Sequence, residues 1–443
     1  MKTTLKTIAL AGALAGGIAG LASANTLQTV HVAGAPAYRQ DSIAVINTVV
    51  GTFTGAGEIA STSTSFANAS AVQWFIPNYT SGVDLLVSAS FTGSTAGTES
   101  VAAGAQNSGA LEQKFIPDVT DAAGAAAVGA ANNSSSVTIS ELHVPDFSLS
   151  DTFVATTPFN GTVTLRQGTT GTQHNTYTFS SLGSTQLAIE PYVWVGTPGL
   201  AARGVTNITT AQAQLLYKNG KLPLAFFTGK SSDETSFVYP LSRDPGSGSR
   251  LIAVSETGVG VTTSIKTYKP SVSNATADSS GNYVAGTIAT GTPPLYPAGV
   301  ISSTAIYDPN AGDTGYPKFG TADQTGLLAA ITSIPSGNAS SPSTAEFFIG
   351  YFNPTDAGEA VAAGSEQLTY NGTAYSATNL AEGLYSFWSY ENLQALSTLA
   401  GNQLGFANAL VSAWPNATLS SGVQISTVNV SRSVDGGPIT SLY

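Results

Sequence analysis

The chain contains no cysteine among its 443 residues. This absence excludes disulfide bonds, thiolate catalysis, cysteine-based metal sites and lipid attachment through an N-terminal cysteine. Histidine is also scarce: His31, His143 and His174 are far apart in sequence and do not have the spacing of an HExxH motif. The sequence therefore predicts no metal site and no metal-dependent catalysis.

Charged residues are rare as well. Asp, Glu, Lys and Arg make up 9% of the chain, against about a quarter in an ordinary soluble protein. The net charge of −11 comes without a basic stripe, which argues against nucleic acid as a partner. A small anion stays open as a ligand, because backbone dipoles and one or two arginines can hold it whatever the global charge.

The usual catalytic motifs are missing. Gly229-Lys230-Ser231 looks like the end of a P-loop, but Leu224 stands where that motif needs its first glycine. The sequence has no Gly-x-Ser-x-Gly elbow of a serine hydrolase, and nothing singles out a pair of carboxylates for glycoside cleavage. We therefore expect a protein that is not an enzyme, with no catalytic residue and no cofactor.

The one long apolar run lies at the N-terminus. Ile8 to Leu21 follows two lysines and precedes Ala22-Ser23-Ala24, which is the pattern of a cleaved signal peptide. The run is too short and too rich in glycine for a membrane span. We expect residues 1–24 to be removed on export, and the mature chain to be periplasmic or secreted without inserting into a membrane.

Short β-rich runs alternate with helical stretches along the rest of the chain. Such strand, loop and helix units are typical of an α/β protein with buried, mostly parallel sheets that carry helices on both faces. The predicted strands are Thr29–Ala33, Val83–Ser88, Leu187–Ile189 with Tyr192–Val195, and Phe237–Tyr239. The predicted helices are Asp41–Val50, a helix from Thr98 onward, Gln212–Tyr217 and Leu251–Glu256.

The length predicts two lobes, because about 420 mature residues exceed one typical hydrophobic core. Two segments, 104–137 and 268–297, have the composition of additions to such a framework. The first is rich in alanine and other small residues. The second is rich in Ser, Thr, Gly and Pro and is predicted to be a long surface loop or hairpin.

The segment Ser242–Arg250 has the composition of an anion-binding loop. It joins a predicted strand to a predicted helix, and its two glycines permit close approach of the backbone. Ser247 and Ser249 supply hydroxyls, while Arg243 supplies a planar fork of donors. The alternative interpretation is an ordinary Gly/Ser turn with a solvated arginine.

Two further loops repeat this composition. Phe91–Thr98 follows the second predicted strand, and Gly34–Arg39 follows the first. Three such loops at strand ends suggest several helix N-termini that converge at the carboxyl edge of a sheet, where they can hold a dehydrated oxyanion.

Asp151 follows the run Phe147–Ser150 and has two interpretations. A lone carboxylate in this position is most often a helix cap. In an anion site it would accept a hydrogen bond only from an anion that still carries a proton. Phosphate keeps a proton near neutral pH and sulfate does not, so Asp151 would favour phosphate.

These loops resemble those of the phosphate-specific ABC transporter substrate-binding family. Arg243–Ser249 is similar to the family's R-x-D-G-S-G-T loop, and Gly93–Gly97 to its G-S-S-G-G loop. Phe147–Asp151 is similar to its short segment ending in Ser-Asp. The order of the three segments along the chain matches too.

The resemblance implies a two-lobed, type II periplasmic binding protein fold with a ligand cleft between the lobes. Lobe 1 would hold residues 25–190 plus 381–443, and lobe 2 residues 191–380. The resemblance places ligand-contacting positions at Ser94, Asp151, Arg243, Ser247, Gly248 and Ser249. Thr95, Ala37 and Tyr38, from the same loops, complete the predicted ligand-binding set.

The chain departs from the family in two of these loops. Pro36 in the first loop has no N–H and no hydroxyl to offer, so Arg39 would have to compensate. Pro245 stands where the family has Asp. These changes bear on the identity of the ligand more than on the fold.

The expected function is capture of inorganic phosphate, or a similar oxyanion, for ABC-type uptake or sensing. The implied partners are phosphate and an ABC permease in the inner membrane. Two alternatives stay open. A binding-protein scaffold reused as a surface or matrix protein fits the low charge and the long insertions. An exported hydrolase of phosphate esters fits less well, because a metal cluster and a nucleophile motif are both missing from the sequence.

Overall fold

The computed structural model describes most of the chain after residue 24. The described residues are 25–63, 69–104, 113–120, 137–167, 173–197, 199–243, 247–261, 263, 265, 272–273, 276–277, 283–284, 287–288, 346–362 and 364–443. The predicted signal peptide lies outside them.

Strands and helices are numbered here along the described chain. The strands are β1 (Thr26–Gly34), β2 (Gly57–Ser61), β3 (Ala71–Thr80), β4 (Val83–Ser90), β5 (Gln113–Phe115), β6 (Glu141–His143), β7 (Phe147–Ser150), β8 (Gly161–Gln167), β9 (Gln173–Phe179), β10 (Leu182–Pro191), β11 (Val193–Gly196), β12 (Asn207–Ile208), β13 (Leu222–Pro223), β14 (Phe237–Pro240), β15 (Val272–Ser273), β16 (Thr276–Ala277), β17 (Tyr283–Val284), β18 (Thr287–Ile288), β19 (Glu346–Phe352), β20 (Glu366–Gln367), β21 (Thr369–Tyr370), β22 (Trp388–Leu396), β23 (Val430–Ser431) and β24 (Thr440–Ser441). The helices are α1 (Arg39–Val50), α2 (Ser94–Ala103), α3 (Thr210–Asn219), α4 (Ala225–Thr228), α5 (Gly248–Glu256), α6 (Pro354–Ala362), α7 (Ala377–Ala381) and α8 (Gly401–Ala413).

The first sheet has seven strands in the order β10-β22-β7-β1-β4-β3-β2 and carries helices on both faces. Alternate residues of a strand point to opposite faces. Val30 and Val32 of β1 enter an apolar cluster with side chains of α1 and α8. The opposite face receives α2, whose Gly97 lies against Ala33 and Ser148.

The second sheet has five strands in the order β13-β14-β19-β11-β20. Along β19, Phe347 and Ile349 pack in the cluster that includes Leu216 of α3. Phe348 and Phe352 pack in the cluster that includes Ala357 and Ala360 of α6. Helices therefore cover both faces of this sheet too, and the predicted α/β architecture with two sheet-based lobes is confirmed.

Both sheets are mixed, but antiparallel neighbours predominate, which corrects the expectation of mostly parallel strands. Parallel pairing in the first sheet joins β7, β1 and β4, and in the second it joins β14 and β19. The other neighbours in the two sheets are antiparallel. The short connection between β3 and β4 requires antiparallel strands, because parallel strands need a crossover. β22 enters between β10 and β7 and is antiparallel to both.

The chain passes between the two sheets at two points. β10 ends at Pro191 in the first sheet and β11 begins at Val193 in the second, and β22 returns to the first sheet from Trp388. Arg432 links the segments in this region. Its guanidinium donates to Glu256 Oε2 at 3.1 Å and to the Trp388 carbonyl at 2.9 Å. The predicted lobe boundaries, 25–190 plus 381–443 and 191–380, stay a prediction.

All four predicted helices begin earlier than the sequence predicts. α1 begins at Arg39 rather than Asp41 and α3 at Thr210 rather than Gln212, and the difference is larger for the other two. α2 begins at Ser94 rather than Thr98, and α5 begins at Gly248 rather than Leu251. Helix propensity is a weak guide at such positions, because packing of the first turn overrides it. The earlier starts matter for function, because they put predicted site residues into the first turns of buried helices.

The predicted insertion 268–297 lies mostly outside the described residues. Its described parts are two nested antiparallel pairs, β15 with β18 and β16 with β17, which fits the predicted hairpin. Among the described residues, no helix has the length and the apolar character needed to cross a bilayer.

Gly97 in α2 sets how closely that helix packs on the first sheet. A Cβ at this position would lie 2.6 Å from Ser148 Oγ and 2.7 Å from the Ala33 Cβ. We expect Gly97→Ala to lower the free energy of unfolding by about 1–3 kcal/mol, because strand residues cannot yield that much space. Urea unfolding followed by circular dichroism measures the change.

Gly358 in α6 is the matched control, because a Cβ there has no atom within 4 Å. Gly358→Ala should stabilise the protein by about 0.4–1 kcal/mol through the lower entropy of the unfolded chain. Equal effects of the two substitutions would contradict the packing argument.

Candidate functional site

Three loops of the first sheet meet at one edge, because the strands before them are parallel. β7, β1 and β4 lie side by side and run in the same direction, so their carboxyl ends share an edge. Asp151 follows β7, residues 35–38 follow β1, and Ser94 begins α2 shortly after β4. Two of the three predicted loops, 34–39 and 91–98, leave this edge, whereas the third, 242–250, follows β14 of the second sheet.

The first turn of α5 comes from the second lobe and touches this edge. The Ser94 hydroxyl donates to Asp151 Oδ1 at 2.5 Å and accepts a hydrogen bond from the N–H of Gly248 at 3.0 Å. All three residues are buried. A Cβ on Gly248 would lie 1.7 Å from Asp151 Oδ1, so only glycine allows this approach.

The remaining predicted residues of the α5 loop lie beside Gly248. Ser247 precedes α5 with an extended backbone, and its hydroxyl is 2.8 Å from that of Ser249. Arg243, only 1% exposed, has its Nη1 3.5 Å from Ser249 Oγ. The intervening residues 244–246 lie outside the described residues.

Tyr351 of β19 holds the start of this loop and was not predicted as a site residue. Its hydroxyl is 2.9 Å from Ser242 Oγ and accepts a hydrogen bond from the N–H of Arg243 at 3.3 Å. The loop is therefore tied to the strand beside β14, which fixes where the Arg243 backbone turns.

Asp151 is enclosed on all sides and is 1% exposed. The Tyr192 hydroxyl donates to its Oδ2 at 2.9 Å, while Ser94 donates to Oδ1. Burial raises the pKa of Asp151, whereas these hydrogen bonds and the charge of Arg243 act to lower it. Because these effects on its pKa oppose one another, the Asp151 carboxyl is suited to share a proton with a neighbouring group.

A second contact between the lobes is made by the N-terminus of α6. The Asn353 side chain donates to the Ala37 carbonyl at 3.2 Å and accepts from the N–H of Asp356 at 2.8 Å. Burial, followed by repulsion from Glu359, raises the pKa of Asp356 to about 7, against the lowering effect of Arg39 and Arg243. Arginines from both lobes thus lie within electrostatic range of one carboxyl group.

Two further predicted residues, Thr95 and Tyr38, are buried in different surroundings. Thr95 is in the first turn of α2, and its buried hydroxyl has no hydrogen-bond partner among the described residues. Tyr38 is fully buried, but its ring stacks near Trp414 and its hydroxyl lies against Gly422, within the core on the α1 side of the sheet. Its role as a ligand contact stays a prediction.

Two carboxyl groups close to the site are completely buried. Glu190 and Glu391 share one face of the β10–β22 ladder, opposite Ser389 and Ala188 respectively. None of their four oxygens has a hydrogen-bond partner among the described residues. Burial, followed by repulsion from Asp151, raises the pKa of both groups well above the ordinary value. The buried surroundings therefore favour the protonated form of both groups.

The raised pKa of Glu391 makes stability depend on pH. The unfolded chain ionises this group above about pH 4.5, whereas the folded protein holds the proton to a higher pH, so folding loses free energy as the pH rises toward the folded pKa. We expect Glu391→Gln to unfold like the unmodified protein at pH 4. At pH 7 the variant should be more stable by up to about 3 kcal/mol.

Urea unfolding at a series of pH values measures this difference. Glu234→Gln removes an equal charge from an exposed position and is the control. A Glu391→Gln variant whose advantage did not grow between pH 4 and pH 7 would contradict the assignment of a neutral, buried carboxyl.

Sequence reasoning missed Tyr192, Tyr351, Asn353, Glu190 and Glu391. Tyr192 directly follows β10, at a point where the chain changes sheets, and that position is the only sequence signal it carries. The other four lie in or just after strands that look like ordinary core segments. Their roles depend on which strands become neighbours, which the sequence pattern does not specify.

Comparison with known proteins gives distant structural matches. No protein-family model matches the sequence, and no curated protein matches it. A Clostridium perfringens protein assigned as a phosphate ABC transporter substrate-binding protein, solved with bound phosphate, is 10% identical at a TM-score of 0.37, covering 90% of this chain and 100% of its own. An ABC-type phosphate transport receptor from Vibrio cholerae is 11% identical at a TM-score of 0.37, with coverage of 86% and 93%.

PstS from Borrelia burgdorferi is 8% identical at a TM-score of 0.34, with coverage of 86% of this chain and 92% of its own. These proteins are of the kind that the loop motifs resemble. At such identities and TM-scores the likeness is distant, and the function has to be argued from the contacts of the site itself.

Proposed function

We propose that this protein is an exported substrate-binding protein that captures inorganic phosphate between its two lobes, for ABC-type uptake or sensing. It acts by binding and lobe closure rather than by catalysis. The observation that carries the proposal is the meeting of Ser94, Asp151 and Gly248, which brings one lobe's strand-end loops against the other lobe's helix N-terminus.

The charges and donors around this point suit an anion. Two buried helices, α2 and α5, begin there, and a helix N-terminus offers unpaired N–H groups and partial positive charge. Arg243 is buried beside the first turn of α5, and Arg39 is buried at the start of α1. Phosphate in such a place can have nearly every oxygen hydrogen-bonded, which burial of a multivalent anion requires.

Asp151 explains why phosphate is favoured over sulfate. A carboxylate in the binding shell repels an anion without protons and accepts a hydrogen bond from one that carries a proton. Tyr192 donates to Asp151 Oδ2 and holds the carboxylate, whereas Oδ1 now accepts from Ser94. Ser94 and Gly248 would then direct their donors to the phosphate rather than to their present partners.

A second candidate is a binding-protein scaffold that serves as a surface or matrix protein. The observation in its favour is that the same groups satisfy one another: the Gly248 N–H bonds Ser94, and Ser94 bonds Asp151. A closed contact of this kind can hold two lobes together without a ligand. A folded, monodisperse protein that binds neither phosphate, arsenate nor sulfate would favour this candidate.

Replacing Asp151 tests the specificity. We expect the purified protein to bind phosphate saturably in calorimetric titration, with no competition from sulfate. Asp151→Asn should weaken phosphate binding about 10- to 100-fold and make sulfate binding measurable. The neutral amide accepts a weaker hydrogen bond from protonated phosphate, and it lacks the negative charge that repels sulfate. Glu234→Gln serves as the charge-matched control. Unchanged selectivity in Asp151→Asn would refute the role of this carboxylate.

Replacing Gly248 tests the contact between lobes. A methyl group in Gly248→Ala would overlap Asp151 and the Ser94 hydroxyl, so α5 could not reach the first lobe. We expect phosphate affinity to fall about 10- to 100-fold, with the far-ultraviolet circular dichroism unchanged. Gly358→Ala, a helical glycine with open space around it, should bind phosphate normally. Normal binding by Gly248→Ala would show that the ligand site lies elsewhere.

A further inference from the structure

Two of the three histidines meet on the α2 face of the first sheet. His31 lies in the middle of β1, between Val30 and Val32, which face the other way into the α1 core. His143 ends β6, in the small β5–β6 hairpin. The two imidazole rings are stacked with centroids 3.9 Å apart, and Phe115 packs edge-on against His31 at 4.9 Å.

A carboxylate is fixed beside the two rings. The Gln73 amide donates to the carbonyls of Ile116 at 3.0 Å and Pro117 at 3.2 Å, which anchors the chain just before Asp118. The N–H of Asp118 donates to Glu141 Oε2 at 2.7 Å. Asp118 Oδ2 then lies 3.2 Å from His31 Nε2.

Each of the three side chains has a buried polar atom that lacks a hydrogen-bond partner among the described residues. His31 Nε2, His143 Nε2 and Asp118 Oδ1 are buried atoms with no hydrogen-bond partner among the described residues, although His31 Nε2 lies within ion-pair distance of Asp118. His31 itself is only 9% exposed. One ligand atom from each of His31, Asp118 and His143 falls in a set whose members all lie within 4.8 Å of one another.

We propose that His31, His143 and Asp118 form a binding site for a divalent transition-metal ion of the Zn²⁺ type. Two imidazoles and one carboxylate are a common ligand set for such ions, at about 2.0–2.2 Å from the metal. The donor atoms lie within 4.8 Å of one another, and the two stacked rings must turn against each other so that the in-plane lone pair of each Nε2 points at the ion. A water molecule or Glu141, whose Oε1 lies 3.1 Å from His143 Nε2, would supply a fourth position.

The local charge favours a cation. Asp118, Glu141 and Asp146 surround two imidazoles, and Asp146 Oδ2 also accepts a hydrogen bond from the His31 N–H at 2.8 Å. A divalent ion would offset the negative charge of the carboxylates in this cluster. Imidazole donors select transition metals over Mg²⁺ and Ca²⁺, which prefer oxygen ligands only.

The bound metal would link the β5–β6 pair to the first sheet. His31 belongs to the central strand β1, whereas Asp118 and His143 belong to the hairpin segment, on either side of residues 121–136. This site departs from the sequence-based expectation of no metal, and it uses none of the residues proposed to bind phosphate.

Calorimetric titration of the untagged protein with ZnCl₂ tests the proposal. We expect saturable binding of one Zn²⁺ per chain that raises the melting temperature and that neither MgCl₂ nor CaCl₂ displaces. His143→Ala and Asp118→Asn should each weaken Zn²⁺ binding at least about tenfold while phosphate binding stays unchanged.

His174→Ala is the matched control, because it removes the chain's third histidine, which belongs to β9 and is not one of the three proposed ligands. It should bind Zn²⁺ like the unmodified protein. Absence of saturable Zn²⁺ binding would overturn the proposal. So would equal binding by His143→Ala, Asp118→Asn and His174→Ala, or displacement of Zn²⁺ by Ca²⁺ at a similar concentration.

Discussion

The parallel arrangement of β7, β1 and β4 is the constraint on which the rest of the site depends. Because these strands run side by side in one direction, the loops that follow them must leave from the same edge of the sheet. Asp151 and Ser94 then lie close enough to share a 2.5 Å hydrogen bond, although 57 residues separate them in the chain. Reversing any of the three strands would send its loop to the opposite edge.

Gly248 extends this constraint across the molecule. The first turn of α5 reaches Ser94 and Asp151 only because Gly248 has no side chain. Arg243 and Ser249 are buried close to this turn. The positive charge of Arg243 and the Ser249 hydroxyl therefore lie near the positive end of the α5 dipole. A contact made of so few atoms can open and reform, which is what capture between two lobes requires.

The scarcity of charge gives each buried ion a large effect. Only 9% of the residues are charged, yet Asp151, Glu190, Glu391, Arg39 and Arg243 are all buried in or near the site. In a low-dielectric interior such groups either pair or change protonation. Arg39 and Arg243 lower the pKa of the Asp356 carboxyl, whereas Glu190 and Glu391 have no hydrogen-bond partner among the described residues and burial raises the pKa of both.

The sequence by itself determined the α/β class, the ends of most predicted strands within a few residues, and the three loops that meet at the site. These features are local, because strand periodicity, glycine freedom and hydroxyl-rich helix starts are set by neighbours along the chain. Only the tertiary structure decided that antiparallel pairs predominate, that Tyr192 and Tyr351 orient Asp151 and Arg243, and that His31 meets His143. Those outcomes depend on which strands become neighbours, and that choice is made by burial of whole surfaces rather than by any segment alone.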